Sequence, residues 1–147
     1  MTAVKRPSFF LLPTIGWKER VHLPELGLGP IEAKIDTGAR SAALHAEDIA
    51  IRGRRVRFSV PVNGRKHWQD VALAGQRRVK SSSGHTEIRA VIETAITLGN
   101  HAFTIEVTLT DRRDMGVPML LGRLSVRGLF LVNPAKSFIL SKTKKRP

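Results

Sequence analysis

The stretch Ile31-Glu-Ala-Lys-Ile-Asp-Thr-Gly-Ala-Arg40 is the part of the sequence around which the rest of the fold is predicted to be arranged. Its apolar residues alternate up to Asp36, so a short strand is predicted to carry a carboxylate to its end. Thr37 adds a hydroxyl that can donate and accept, and Gly38 lets the backbone turn where a side chain would clash. A carboxylate on such a turn can activate water, although most Asp-Thr-Gly tripeptides are ordinary turns.

Chain length and composition limit the kind of protein this is. The 147 residues fit one domain, and the absence of cysteine excludes disulfides and thiolate metal sites. The apolar run over 9–12 lies between Pro7 and Pro13 and is too short for a signal sequence or a membrane span. A soluble, cytoplasmic protein that does not associate with membranes is therefore predicted.

The charge is strongly positive. Lysine and arginine number 25 against 12 acidic residues, which gives a formal charge of +13. Nine basic residues lie between Arg52 and Lys80, where Asp70 is the one acidic residue. Such a charge attracts RNA, ribosomes or an acidic polypeptide, but a solvated basic face explains it equally well.

Short strands separated by turn signals predict an all-β domain, either a small barrel or a sandwich. Asn63-Gly64 is predicted to form a type I′ hairpin turn, and Ser81-Ser-Ser-Gly84 the mobile tip of a second hairpin. Leu26–Pro30 is predicted to be a turn, and Glu47-Asp48 to open a loop. Strands are expected over 15–23, 31–36, 42–46, 56–62, 68–73, 88–98, 103–109, 118–122, 129–132 and 137–140, with one helical turn over 123–127.

Several segments carry a resemblance to a known family. Asp36-Thr37-Gly38 is followed about 80 residues later by Met119-Leu-Leu-Gly-Arg123, a pairing similar to that of retropepsins, whose monomer is half of an aspartic peptidase. Further matching segments resemble a small bacterial family whose members are named ATP-dependent zinc proteases and are often associated with RimK-type ribosomal glutamate ligases. These segments are Gly16-Trp17, 33–40, 43–46, 109–112, 118–123 and 130–132. The resemblance covers 15–141, between a flexible arm over 1–14 and a basic tail over 142–147.

The resemblance implies a retropepsin-like closed β-barrel with one short C-terminal helix. It also implies a homodimeric aspartic endopeptidase, in which Asp36 and the Asp36 of a two-fold-related chain share a proton and activate water. Thr37 would hydrogen-bond across the dimer axis, beside Gly38. The catalytic loop would rest on a supporting element, and a flap would close over substrate. The supporting residues are Leu120, Leu121, Gly122 and Arg123; the substrate and flap residues are Arg40, Ser82, Ser83, Gly84, His85 and Glu87.

One position departs from the viral pattern. Viral retropepsins generally place a second acid four residues after the catalytic aspartate, where it pairs with the arginine of the Gly-Arg motif. Here that position is Arg40, so Arg123 is expected to find another partner, and Arg40 either faces an acidic substrate or forms a surface ion pair. Glu87 and Arg89 are expected to form a cross-strand ion pair. His45 is expected to be packed or hydrogen-bonded rather than a ligand.

No metal and no cofactor are predicted. The five histidines are scattered, no His-Glu-x-x-His is present, and no Gly-x-x-x-x-Gly-Lys-[Ser/Thr] loop is available for ATP. Acidic substrates are expected, possible examples being glutamate-rich or glutamylated tails of ribosomal proteins. Two alternatives stay open: a non-catalytic basic β-barrel module that binds the ribosome or an ATP-grasp glutamate ligase, and a zinc-dependent hydrolase.

Overall fold

The computed structural model describes residues 11–80, 83–111 and 116–141, and the predicted all-β class is confirmed. Within these residues the helix α1 spans Arg123–Val126, and no helix is long and apolar enough to cross a membrane. The twelve strands are β1 Thr14–Gly16, β2 Lys18–Leu23, β3 Leu28–Asp36, β4 Ala42–His45, β5 Glu47–Arg52, β6 Arg55–Val62, β7 Arg65–Ala72, β8 Gly75–Lys80, β9 Thr86–Leu98, β10 His101–Thr110, β11 Met119–Gly122 and β12 Leu131–Asn133.

Six strands close into a barrel, which confirms the predicted architecture. Their order is β10-β4-β11-β3-β2-β9, and β9 pairs with β10 to complete the circle. Strand β8 extends the barrel sheet beyond β9, while β5, β6 and β7 form a separate three-stranded sheet, and β1 pairs in parallel with β12. Closure leaves no free edge in the barrel itself.

The core is built from every second residue of these strands. Side chains alternate between the two faces of a strand, so Val21 and Leu23 of β2 point inward, as do Ile96 and Leu98 of β9. The same alternation buries Phe58 on β6. The barrel interior and the inner face of the three-stranded sheet share one apolar cluster, so the strand that ends at the candidate site is fixed by the core.

The predicted hairpin at Asn63-Gly64 is confirmed. Both residues have positive φ, 52° and 78°, as a type I′ turn requires, and Val62 pairs with Arg65 across it.

Four local predictions were wrong, three of which concern the first half of the chain. The stretch over 15–23 is two strands, because the chain changes partners at Trp17, whose N–H bonds to Lys136. Leu26–Pro30 is mostly the start of β3, which begins at Leu28, and Glu47-Asp48 begins β5 instead of a loop. Thr14, the last residue of the predicted arm, lies in β1; residues 1–10 and the predicted tail over 142–147 lie outside the described residues.

The predicted strand over 137–140 is absent because its backbone bonds to a side chain. Glu19 is fully buried on β2, and its carboxylate accepts N–H hydrogen bonds from Gly16 (2.7 Å), Ile139 (2.8 Å), Leu140 (3.4 Å) and Ser141 (3.0 Å). The Ser141 hydroxyl donates a further bond at 2.6 Å. Glu19 thereby ties the segment over 139–141 to the beginning of the domain.

Candidate active site

Asp36 is the last residue of β3 and lies at one end of the barrel. Strand β11 runs parallel to β3 and places Gly122 opposite Asp36. The Asp36 Oδ1 atom accepts the Gly38 N–H at 3.1 Å, and its carbonyl oxygen accepts the Ala39 N–H at 3.0 Å. Among the described residues, Oδ2 has no hydrogen-bond partner. The carboxylate is therefore held in one orientation with one oxygen available to a ligand.

The two residues after Asp36 are open to solvent. Thr37 is exposed, and its hydroxyl forms no hydrogen bond within the described part of the chain. At Gly38 a Cβ atom would lie 3.3 Å from Asp36 Oδ1. Glycine is favoured here by this close approach of the carboxylate rather than by a left-handed backbone.

The loop over 37–41 rests on the Gly122 turn. A Cβ atom on Gly122 would lie 2.5 Å from the Ser41 carbonyl oxygen, so only glycine allows this approach without a backbone shift. The Arg123 and Leu124 N–H groups donate to the carbonyl oxygens of Ala39 (2.7 Å) and Arg40 (3.1 Å). Below them, Leu120 and Leu121 are buried. The structure thus brings together the two segments that sequence comparison paired.

The two arginines of the site have different surroundings. The exposed side chain of Arg123 donates from a guanidinium nitrogen to the Thr37 carbonyl oxygen at 3.1 Å, so this arginine has a backbone partner in place of the missing acid. Arg40 is exposed, and among the described residues it forms no ion pair. Two positive charges therefore lie on the Asp36 loop and the turn that supports it.

Strands β8 and β9 form the hairpin predicted as a flap, with Lys80 paired to Thr86 nearest its tip. Ser82 lies outside the described residues, whereas Ser83, Gly84 and His85 are exposed on the tip. Glu87 on β9 lies opposite Val79, and its Oε1 accepts bonds from Arg89 Nε and Thr110 Oγ1, both at 2.8 Å. The expected cross-strand pair is thus wrong, because Glu87 and Arg89 are two apart on one strand and share a face.

His45 belongs to a polar group near the end of β4. Its Nε2 lies 2.9 Å from Glu47 Oε2, and its Nδ1 lies 3.8 Å from Asp111 Oδ1, which confirms that it is hydrogen-bonded. These three side chains place potential metal ligands within 4.8 Å of one another. Zinc requires its ligand atoms roughly 2.0–2.2 Å from one point. The two carboxylates instead face opposite ring nitrogens, so the group does not fit zinc and fits a hydrogen-bonded histidine.

Glu19 is the described residue whose pKa departs clearly from its ordinary value. Burial alone would raise the pKa of this carboxyl group, but the hydrogen bonds from Gly16, Ser141 and Ile139 outweigh that effect and lower it. Two residues before Glu19, the Trp17 carbonyl oxygen accepts the N–H of Ile35, which precedes Asp36 on β3.

Sequence reasoning did not find Glu19 or the group around His45. The signal for Glu19 was its place in the alternation of β2, on the same face as the buried residues Val21 and Leu23. The signal for the His45 group was weaker, because Asp111 is distant in sequence and meets His45 through the parallel pairing of β10 with β4.

Comparisons with known proteins agree with this geometry. A family model described as RimB-like, the retropepsin-like aspartic endopeptidase RimB, matches residues 14–143. A protein from Shewanella halifaxensis named "Probable alpha-L-glutamate ligase" is 40% identical over 136 residues, which cover 87% of this chain and 30% of that protein. A protein from Parasynechococcus marenigrum with the same name is 38% identical over 131 residues, which cover 84% of this chain and 28% of that protein. The chain therefore spans less than a third of these relatives. A crystal structure of a Legionella pneumophila protein of unknown function has a TM-score of 0.73 and 31% identity, covering 88% of this chain and 98% of that one.

Proposed function

The chain belongs to the RimB-like family of retropepsin-like aspartic endopeptidases, and from this premise we propose that it is an aspartic peptidase that acts as a homodimer. The observation that carries the proposal is the Asp36 loop, in which Gly38 orients one carboxylate oxygen and the Gly122 turn fixes the backbone. One such loop supplies one carboxylate, and retropepsin chemistry needs two.

In the proposed mechanism, Asp36 and its equivalent from a second copy lie across a two-fold axis and share one proton. The ionised carboxylate takes a proton from water as the water attacks the scissile carbonyl carbon, and the protonated carboxyl donates to the carbonyl oxygen. The tetrahedral intermediate then collapses as its C–N bond breaks: the carboxyl that took the proton from water gives it to the leaving amine, and a hydroxyl of the intermediate returns its proton to the other carboxylate. Asp36 Oδ2, which has no hydrogen-bond partner in the described part of the chain, and the exposed Thr37 support an arrangement in which a second chain completes the site.

Arg40 and Arg123 favour an acidic substrate. Both are exposed beside the loop, and the formal charge of the chain is +13. Long-range attraction of this sign raises encounter rates with polyanions, and guanidinium groups bind carboxylates with good geometry. The relatives named as glutamate ligases support glutamate-rich or glutamylated tails as the substrate class, and a glutamate ligase as a functional partner.

The hairpin of β8 and β9 is proposed as the flap. A mobile tip carrying Ser83, Gly84 and His85 would cover the substrate and exclude water once the peptide is bound. Glu87 lies one residue from the last strand pair before the tip, and its hydrogen bonds to Arg89 and Thr110 would hold the closed flap against β10.

The test is Asp36→Asn with a glutamate-rich peptide as substrate. The variant should fold normally and lose at least about 10³-fold in kcat, because asparagine cannot act as a general base. Asp70→Asn is the matched control, since Asp70 is a surface aspartate paired with Arg55. Sedimentation should show a dimer that Thr37→Val weakens. A folded Asp36→Asn protein that cleaves at the wild-type rate would refute the proposal.

A further inference from the structure

The sheet of β5, β6 and β7 has one face on the core and one face outside it. Val56, Phe58 and Val60 point inward and are fully buried. Alternation and the strand register therefore assign the intervening residues to the outer face. The large or charged side chains on that face are Arg52, Arg55, Arg57, Lys66, Trp68 and Asp70, together with the Asp48 carboxylate, which bonds to Ser59 and Lys66 there.

Trp68 is unusual on this face because a large indole ring is 48% exposed. The guanidinium carbon of Arg57 lies 4.3 Å from the centre of the ring, and Lys66 Nζ lies 6.0 Å from it. The shorter distance is that of a cation–π contact, in which a planar guanidinium lies on an aromatic face. The pair therefore presents a flat, cationic surface to solvent.

The basic charge of this face exceeds its acidic charge. Arg55 is paired with Asp70 at 2.7 Å, and Lys66 with Asp48 at 2.8 Å. Arg52 and Arg57 form no ion pair with any described residue, and Arg54 is exposed in the turn between β5 and β6, whereas Arg65, opposite Val62, lies on the inner side of the sheet. The sheet thus has an excess of positive charge around the indole.

We propose that this face binds a single-stranded nucleic acid, with a base stacked on the Trp68–Arg57 pair and the backbone phosphates held by the surrounding arginines. Aromatic rings and guanidinium planes are the surfaces on which unpaired bases stack, and basic residues along the groove follow the phosphates. An acidic polypeptide would form ion pairs with the basic residues but has no base to stack on the indole ring. A duplex would offer phosphates but keep its base faces within its own stack.

The composition of the chain allows a direct test of stacking. Trp17 and Trp68 are its two tryptophans, and it has no tyrosine. In a Trp17→Phe protein the fluorescence therefore reports on Trp68 alone, and in a Trp68→Phe protein on Trp17 alone. Titration with a uridine 12-mer at low salt should quench the first protein in a saturable way and leave the second unchanged. A thymidine 12-mer run beside it distinguishes RNA from DNA, and binding of either supports the proposal.

The salt dependence measures the charge contribution to binding, and two other polyanions test whether charge alone explains the binding. Log affinity should fall with log salt with a slope of about −0.7 for each phosphate neutralised. A polyglutamate 12-mer and a 12-base-pair duplex should each bind more weakly and quench less. Equal affinity and equal quenching by either competitor would overturn the proposal, as would the absence of quenching by both single strands.

Two substitutions separate the stacking contribution from the charge contribution. Trp68→Ala should weaken binding of the uridine 12-mer about tenfold, the typical contribution of one stacked base. Arg57→Lys keeps the charge but removes the planar group, and about threefold weakening is expected. Arg127→Ala, which removes an exposed charge after α1, should change affinity less than twofold. If both Trp68→Ala and Arg57→Lys bound the uridine 12-mer with wild-type affinity, the proposed site would be wrong.

Asp36→Asn should bind the uridine 12-mer as the wild type does, since the outer face of β5–β7 does not include Asp36. Failure of peptide cleavage and failure of nucleic-acid binding can thus be told apart in the same preparations. Thermal unfolding of each variant shows whether a lost signal reflects a lost fold.

Discussion

Replacing Glu19 by glutamine should destabilise the domain at neutral pH and have much less effect in acid. Its two carboxylate oxygens accept bonds from the N–H groups of Gly16, Ile139, Leu140 and Ser141 and from the Ser141 hydroxyl. Glutamine has one acceptor oxygen, so its NH₂ group must face one of these two sets of donors. An unpaired buried N–H costs about 1–3 kcal/mol and the remaining bonds lose their ionic character, which together suggests a loss of about 3 kcal/mol.

The pH dependence follows from the lowered pKa of Glu19. Because its folded-state pKa lies below the ordinary value of 4.5, the stabilisation is fully present above that pH. It is lost as the pH falls through the folded-state pKa, where the protonated carboxyl resembles the amide of glutamine. The free energies of unfolding of wild type and variant should therefore converge in acid.

Urea unfolding at a fixed protein concentration, at pH 7 and at several values below 4.5, measures both effects. A loss of about 3 kcal/mol corresponds to a fall in Tm of roughly 6–12 °C for a domain of this size. Glu32→Gln is the matched control, because the Glu32 side chain is 41% exposed and lies 3.7 Å from Lys18 Nζ, and it should cost less than about 0.5 kcal/mol. Equal stability of Glu19→Gln and wild type at pH 7, or a difference that persists undiminished in acid, would refute the reasoning.

Four further outcomes are expected. Gly122→Ala should lose about 2–4 kcal/mol in urea unfolding and most of the peptidase activity, because its Cβ meets the Ser41 carbonyl oxygen; an unaffected variant would contradict that contact. Arg40→Glu should raise KM for a polyglutamate peptide about tenfold in steady-state kinetics and leave a neutral peptide within about twofold; equal effects on both peptides would dissociate Arg40 from substrate charge. EDTA should leave peptide cleavage within about twofold of the untreated rate, and His45→Gln should reduce the free energy of unfolding by about 1 kcal/mol through its bond to Glu47. Loss of activity in EDTA, restored by zinc, would reverse the conclusion drawn from the ligand geometry.

Much of the fold was predictable because period-2 alternation is a strong local signal. Hairpins such as the one across Asn63-Gly64 need only neighbouring residues, and both residues of that turn adopt the positive φ that their types favour. The alternation could not distinguish barrel from sandwich, since closure depends on the pairing of β10 with both β9 and β4. That choice came from the resemblance.

The candidate site was predictable where a motif marks it and not where distant segments meet. The pairing of Asp36 with Gly122 was anticipated from two motifs, and the register of β3 and β11 brings them together. The backbone partner of Arg123 was not anticipated, because a hydrogen bond to the Thr37 carbonyl oxygen does not depend on which residue supplies the carbonyl. The segment over 137–140 was misread for a similar reason: its alternation is typical of a strand, but a buried carboxylate replaces the partner strand.

The long-range ties of this domain have a consequence for its synthesis. Arg123 and Thr37 are 86 positions apart, and Glu19 and Ser141 are 122 apart. Contacts of such separation form late, because the entropy of closing a large loop must be overcome before they contribute. A nascent chain emerging from the ribosome therefore carries Asp36 on an unsupported loop until Gly122 has emerged, and Glu19 on β2 lacks its last partner until Ser141 has emerged. On that order of events, the carboxylate gains a rigid setting only when nearly all of the barrel is available to fold around it.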